Sequence, residues 1–439
     1  MAKIWIALLS FTLLAACAQV RPEVATGCVL PAYPMLVSDN EPGLMAAGVR
    51  PRSFADILDA RLQARSQSPA AAIGVPKEIL VLSGGSQHGA FGAGLFRGMA
   101  SVPTYDVVTA VSTGALQGTF LFLANQPEPK RVYPAFMRPD PAIGAPGQSN
   151  VKDLALAYAI SNESDLMKIS KLGVAGAAFD GSVGNFKPLR QALAGLISDE
   201  TLLAVAAEAD KGRALFVGVS NLDDGNGYAI DLTELAKNGR DNGNISAVRQ
   251  CYIDALVASA SVPPGVPPVS LRTSPDLQTH LYMDGGARFG VFFQQVRKEV
   301  NDKFPANVTL IVNGALYGGP WTEKGKPVDK WSVVNFGLRA VDLMENQVYR
   351  FSVDDVESWA MANGSLKMAF ISNQGLTKVT TQPDAWPYNN MTCAQASADD
   401  DKKTHPQEFH PEYMRCLIDY GQARGKDEPW NKVVPPKTP

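Results

Sequence analysis

The chain has few of the residues and motifs that build metal sites and nucleotide-binding loops. Its 439 residues include 4 histidines and 5 cysteines, and neither a Cys-x-x-Cys pair nor a His-Glu-x-x-His motif occurs. A metal site is therefore not predicted. The glycines follow neither the G-x-G-x-x-G order of dinucleotide-binding folds nor the P-loop pattern, which disfavours a nucleotide-binding module.

The chain also has no large excess of positive or negative charge. Lys and Arg together number 40 and Asp and Glu 43, giving a formal net charge of −3. This balance gives no electrostatic reason to expect nucleic acid as a partner. With 46% hydrophobic and 19% charged residues, the composition is that of a globular protein. It excludes a disordered chain, a collagen-like repeat and a polytopic membrane protein.

The N-terminus has the pattern of a bacterial lipoprotein signal peptide over residues 1–16. Lys3 is followed by an apolar stretch, 4–14, which is shorter than the roughly 20 residues that a membrane-spanning helix needs. The sequence Leu-Ala-Ala-Cys that ends at Cys17 resembles a lipobox, which predicts lipidation of Cys17. Because Ala18 rather than Asp comes next, we expect a lipid anchor in the outer membrane of the cell envelope. The alternative is an ordinary signal peptide with an incidental Cys17.

Four cysteines remain when Cys17 is set aside. They are Cys28, Cys251, Cys393 and Cys416. An even number in an exported chain is compatible with two disulfides, for which three pairings exist. We favour Cys393 with Cys416, because both lie in a polar, loop-rich tail that needs a covalent link.

The rest of the chain divides into three predicted segments. Residues 17–75 form a tether and N-terminal segment with an amphipathic helix at 54–67. Residues 76–375 form the main domain. Residues 376–439, rich in Pro, Asp and Lys, form a C-terminal extension.

Within the main domain, short apolar runs alternate with helical patterns. The runs predict strands at 78–82, 105–111, 214–219, 307–312 and 367–371. The helical patterns predict helices at 89–99, 113–124, 245–260 and 334–360. Strand followed by helix, twice within fifty residues, predicts an α/β fold with a mostly parallel central sheet flanked by helices. Residues 126–181 are interpreted as an insertion that covers one face.

Three glycine-containing segments point to chemistry. The segment LSGGSQHGAFGAG, residues 82–94, joins a predicted strand to a helix, so its backbone N–H groups can converge on an anion. The segment AVSTGA, residues 110–115, places Ser112 on a sharp strand-to-helix turn that resembles a nucleophile elbow. The segment YMDGGA, residues 282–287, sets Asp284 before two glycines, a pattern that is also typical of a plain turn.

In this order, the three segments resemble the patatin-like phospholipase family. Further segments agree in order and spacing, at 184–189, 214–225 and 256–268, so the resemblance covers residues 78–290. It implies a three-layer patatin-like fold and a lipid acyl hydrolase. Such an enzyme is a serine carboxylic ester hydrolase of phospholipase A or lysophospholipase type, acts on lipid or acyl-ester substrates, and needs no cofactor.

The resemblance also implies roles for individual residues. Ser112 would be the nucleophile and Asp284 its partner in a catalytic dyad. The backbone N–H groups of Gly84, Gly85 and Ser86 would form the oxyanion hole. Because an ordinary Asp, with a pKa of about 3.9, is a weak base for a hydroxyl, Asp284 must be desolvated and within reach of Ser112.

Three positions depart from the family pattern. Ser86 stands where a third glycine is usual, His88 where Arg is frequent, and Ala110 where the elbow usually begins with Gly. An acyltransferase of the same fold, in which an alcohol resolves the acyl-enzyme, stays open as an alternative. So does a non-catalytic, lipid-binding envelope lipoprotein.

A Ser-His-Asp triad is the rival catalytic arrangement. Its histidine would be His280, His405 or His410, since these follow the serine in the chain. His405 and His410 lie in the polar tail, where solvated histidines are usual. His88, in the glycine-rich loop, is the histidine expected near the pocket. The Asp-Gly-Gly motif favours the dyad.

The dyad predicts the behaviour of three variants. Ser112→Ala and Asp284→Asn should each abolish ester hydrolysis, whereas His280→Ala should leave it intact, because the dyad needs no histidine. Hydrolysis of a chromogenic ester measures the activity, and circular dichroism checks folding. An inactive but folded His280→Ala protein would contradict the dyad.

Overall fold

A computed structural model describes residues 21, 27–35, 52–67, 76–170, 182–274, 276–292, 306–314, 316, 322–323, 326–328, 333–363, 365–371, 387–427 and 430–431. The predicted signal peptide and Cys17 lie outside these residues.

A nine-stranded mixed sheet forms the centre of the structure. Its strands are β1 (Ala32–Pro34), β2 (Lys77–Leu82), β3 (Val107–Val111), β4 (Ala214–Asn221), β5 (Gly227–Asp231), β6 (Val269–Arg272), β7 (Thr279–Asp284), β8 (Ala306–Val312) and β9 (Ser365–Phe370). Five of them run parallel, in the order β9-β8-β2-β3-β4. β5 and then β1 continue the sheet antiparallel. β7 pairs antiparallel with the end of β4, and β6 pairs with β7.

Helices flank the sheet. They are α1 (Phe54–Gln67), α2 (Gly89–Gly98), α3 (Thr113–Phe122), α4 (Asn150–Tyr158), α5 (Lys187–Leu196), α6 (Asp199–Asp210), α7 (Leu232–Asp241), α8 (Ile245–Ser259), α9 (Val333–Asn363), α10 (Cys393–Lys403) and α11 (Pro411–Asp427). The α/β fold with a mostly parallel sheet and flanking helices is confirmed. Short two-stranded ribbons pair Lys168–Ile169 with Gly184–Asn185, Thr322–Glu323 with Lys326–Pro327, and Pro387–Tyr388 with Met391–Thr392.

The two faces of the sheet carry separate apolar cores, as the alternation of side chains along a strand requires. In β2, Leu80 and Leu82 belong to the core beneath α2, α3 and α8, whereas Ile79 and Val81 belong to the core beneath α1 and α9. Leu154 of α4, from the region interpreted as an insertion, is part of the first core. Burial on both faces explains why the parallel strands are continuous apolar runs.

The tail of the chain packs directly on the domain. α11 lies against α2 so closely that a Cβ on Gly421 would overlap the backbone of Phe91, and a Cβ on Gly94 would overlap that of Ile418. Ile418 and its neighbours are buried in the first core. Residues of the predicted C-terminal extension therefore contribute to the core, while the boundary at residue 376 stays a prediction.

Two disulfides join elements of this fold. Cys393, at the start of α10, is bonded to Cys416 in α11. Cys28, just before β1, is bonded to Cys251 in α8. The first bond joins the pair that the sequence favours, and it closes the helical hairpin that carries the loop 404–410.

Candidate active site

The candidate site lies at the carboxyl ends of the parallel strands. The glycine-rich loop follows the carboxyl end of β2, Ser112 follows that of β3, and Asn313 follows that of β8. Asp284 ends β7, where it pairs with Val219 near the end of β4. Ligands of open α/β sheets bind outside the carboxyl ends of the parallel strands.

Ser112 has the backbone of a strained elbow. Its φ of 54° and ψ of −124° fall in a region that costs a non-glycine residue about 1–3 kcal/mol. Its backbone N–H donates to Ser259 Oγ over 2.9 Å, and that hydroxyl donates to Gly218 O over 2.7 Å. These two hydrogen bonds connect the elbow, which joins β3 to α3, with Ser259 of α8 and Gly218 of β4. Ser112 itself is only 6% exposed.

Asp284 is held by its backbone and by one carboxylate oxygen. Its N–H donates to Ser261 O over 2.8 Å, and Oδ1 accepts from the backbone N–H of Gly286 over 2.6 Å. The Ser112 hydroxyl is close enough to favour the ionised carboxylate, but within the described residues Oδ2 has no hydrogen-bond partner. The serine–aspartate contact is therefore loose. Catalytic hydrogen bonds often tighten only around a substrate.

Burial sets the protonation of Asp284. The residue is 3% exposed, and desolvation raises the pKa of its carboxyl to about 7. The negative charge of Glu345 also raises this pKa, while the nearby Ser112 hydroxyl and the hydrogen bond from the Gly286 N–H lower it. The carboxyl is thus a base whose strength matches operation near neutral pH.

The glycine-rich loop offers backbone donors beside the serine. Gly85 has a φ of 137°, and a Cβ there would lie 2.6 Å from the carbonyl carbon of Asn313, so this position requires glycine. Ser86 has a φ of 48°, the left-handed region that favours glycine, and its hydroxyl donates to Glu408. Within the described residues, the N–H groups of Gly84, Gly85 and Ser86 make no hydrogen bond.

A buried polar network, which the sequence did not reveal, supports this loop. Ser83 Oγ donates to Gly84 O over 2.7 Å and accepts from the backbone N–H of Asn313 over 2.8 Å. Asn313 Nδ2 donates to Ser83 O over 3.1 Å and to Gln117 Oε1 over 3.2 Å. These bonds tie the loop to the ends of two parallel strands. No local signal marks Ser83 or Asn313, because their pairing spans 230 residues.

Within the described residues, none of the four histidines makes a hydrogen bond to Ser112 or Asp284. His280 contacts Asp276 over 2.8 Å and Asp223 over 3.3 Å at the surface. His410 contacts Asp401, and His405 is exposed in the loop 404–410. His88 lines the cavity described next, but its Nδ1 donates to Gly85 O over 2.9 Å, and burial lowers the pKa of its imidazole.

A mainly apolar cavity of about 580 Å³ opens beside Ser112. Its walls come from α3, α4, α5 and α9 and from the segments 260–266 and 407–409, and they include Phe120, Leu154, Leu189, Leu193 and Leu196. Within the described part of the chain, no cluster of His, Cys, Asp and Glu could hold a metal ion. No described helix combines the length and apolarity needed to cross a membrane.

A serine on a strained strand-to-helix elbow, beside a buried carboxyl and the backbone N–H groups of a glycine-rich loop, is an arrangement suited to ester hydrolysis through a serine. Residues 80–297 match the patatin-like phospholipase family. This part of the chain is therefore a patatin-like phospholipase domain, which implies a serine ester hydrolase that acts on lipid acyl groups. A comparison with curated proteins found no match.

The raised pKa of Asp284 predicts a pH-dependent stability. Because the folded-state pKa, about 7, lies above the ordinary value of about 3.9, the folded protein binds the extra proton. Asp284 therefore contributes stability that is present below about pH 4 and is lost as the pH rises through about 7. The parent loses this contribution between pH 5 and pH 8, whereas Asp284→Asn does not. The free energy of unfolding of the variant minus that of the parent should therefore be larger at pH 8 than at pH 5. Urea unfolding at both values measures it, and an equal difference at both would refute the assignment.

Proposed function

We propose that this protein cleaves carboxylic esters of lipids through an acyl-enzyme on Ser112, with Asp284 as its base, while a lipid on Cys17 anchors it in the bacterial envelope. The observation that most supports this chemistry is the desolvated carboxyl of Asp284 beside the elbow that carries Ser112.

Acylation begins when Ser112 Oγ attacks the ester carbonyl carbon. As the new C–O bond forms, the hydroxyl proton passes to the Asp284 carboxylate, and the carbonyl oxygen becomes an oxyanion. Backbone N–H groups of Gly84, Gly85 and Ser86 would donate hydrogen bonds to that charge. The tetrahedral species then collapses, the bond to the alcohol breaks, and the alcohol leaves with the proton from Asp284.

Deacylation repeats these steps with water. Asp284, again ionised, takes a proton from the water that attacks the acyl carbon. The second tetrahedral species expels Ser112 Oγ, which recovers the proton. The products are a carboxylic acid and the free enzyme, so every proton is returned and no cofactor is consumed.

The apolar cavity supports a long acyl chain as the group that is transferred. Its walls carry many aliphatic and aromatic side chains, together with polar residues that include Ser112 and the hydrogen-bonded pair Ser86 and Glu408. Each buried methylene contributes about 0.8 kcal/mol, so a cavity of this kind selects long chains over short ones. The ester oxygens would then lie at the polar end, beside the backbone donors.

The location rests on different observations. The lipobox-like sequence at Cys17 predicts the anchor, and the two disulfides suit an oxidising compartment outside the cytoplasm. Ala18 after the cysteine supports the outer membrane. A lipid-anchored enzyme in that membrane would meet its substrates at the bilayer surface.

Acyl-chain preference tests this function. The value of kcat/KM on p-nitrophenyl esters should rise from two to twelve carbons. Leu193→Trp, which fills the cavity, should remove most of that rise, while Leu203→Trp on the exposed face of α6 should not. A flat profile in the parent protein would contradict the lipid assignment.

Product analysis separates the alternatives. With added alcohol, free acid as the main product supports a hydrolase, whereas a new ester supports an acyltransferase. Lipid binding without turnover would support a non-catalytic lipoprotein.

A further inference from the structure

Helix α9 brings polar side chains to the site from outside the matched segment 80–297. Glu345 and Tyr349, four residues apart and thus on one face of the helix, both line the cavity beside Ser112. Tyr349 is 3% exposed. The dyad mechanism written above gives neither residue a task.

The hydroxyl of Tyr349 lies between the oxyanion loop and the dyad. A Cβ on Gly84 would overlap this hydroxyl, and the same point lies 3.0 Å from Ser112 Cβ. From the other side, a Cβ on Gly286 would lie 3.3 Å from the Tyr349 hydroxyl and 3.0 Å from Asp284 Oδ1. The hydroxyl thus faces the space where a carbonyl attacked by Ser112 would develop charge.

This hydroxyl is buried without a hydrogen-bond partner in the described residues. Leaving a buried donor unpaired costs about 1–3 kcal/mol. Burial raises the pKa of Tyr349 well above its ordinary value, and the charges of Asp284 and Glu345 raise it further. The group is therefore a permanent O–H donor in the working pH range.

The hydroxyl is not bonded to the carboxylate next to it. Asp284 Oδ2 is buried and unpaired, as the Tyr349 hydroxyl is, yet the two atoms do not bond to each other. The donor therefore stays available for a third group. Of the species in the proposed reaction, the oxyanion is the one that forms a strong acceptor at this place.

We propose that Tyr349 is a catalytic residue whose hydroxyl donates a hydrogen bond to the oxyanion formed when Ser112 attacks the ester. It adds a side-chain donor to the backbone N–H groups of Gly84, Gly85 and Ser86. No proton is transferred, since the phenol keeps its hydrogen throughout. This role rests on the proposed acyl-enzyme mechanism.

Tyr349→Phe in the otherwise unchanged chain tests the role, since it keeps the ring and removes only the donor. Loss of one oxyanion-hole donor lowers kcat by about 10²- to 10³-fold in a known case, and we expect a loss of that order with KM little changed. Tyr105→Phe is the matched control, because Tyr105 is also a buried tyrosine but precedes β3, at the end of the strand opposite Ser112. That variant should keep full kcat.

The pH profile separates this role from an action through Asp284. Ionisation of Asp284 should make kcat/KM rise with pH near 7. If the hydroxyl stabilises the oxyanion, this limb of the pH profile occurs at the same pH in Tyr349→Phe as in the parent. A limb that moves to higher pH, with activity recovered there, would assign the hydroxyl to the carboxylate and overturn the proposal. Full kcat in a folded Tyr349→Phe protein would overturn it as well. Failure of the mechanism itself shows separately, as hydrolysis that survives Ser112→Ala.

Discussion

The burial of one carboxyl group beside one serine is the constraint on which the site depends. Outside water, Asp284 resists ionisation, and this resistance makes it a useful base near neutral pH. The fold holds this carboxyl in place, because Asp284 is fixed at the end of β7 by hydrogen bonds with Ser261 and Gly286. A carboxyl in the same sequence pattern on an exposed turn would be a weak base and an ordinary turn residue.

The site also contains strained backbone, which hydrogen bonds to neighbouring elements hold in place. Ser112 and Ser86 both adopt positive φ without being glycine. Ser112 is held by Ser259 at the end of α8, and Ser86 by Glu408 in the tail. The tail is thus part of the active-site structure, because Glu408 lies in the loop between the helices α10 and α11.

Sequence patterns predict the strands and helices better than they predict the contacts around the active site. Buried parallel strands are continuous apolar runs, so the prediction of 214–219 differs little from Ala214–Asn221, and the helix at 54–67 is confirmed to the residue. Short antiparallel strands such as Gly227–Asp231 carry no such run and were missed. The pairing of Ser112 with Ser259, and the approach of Tyr349, depend on contacts between residues far apart in the chain, for which no local pattern exists.

Covalent labelling tests directly whether Ser112 is a nucleophile activated by Asp284. Protein lacking residues 1–17 would be treated with a fluorophosphonate, and the adduct located by intact mass and peptide mapping, with Ser112→Ala as the control. An activated nucleophile beside a buried base predicts one adduct, on Ser112, that forms faster as the pH rises through about 7, the pKa of Asp284. A folded protein that forms no adduct, or forms it on another serine, would contradict the account.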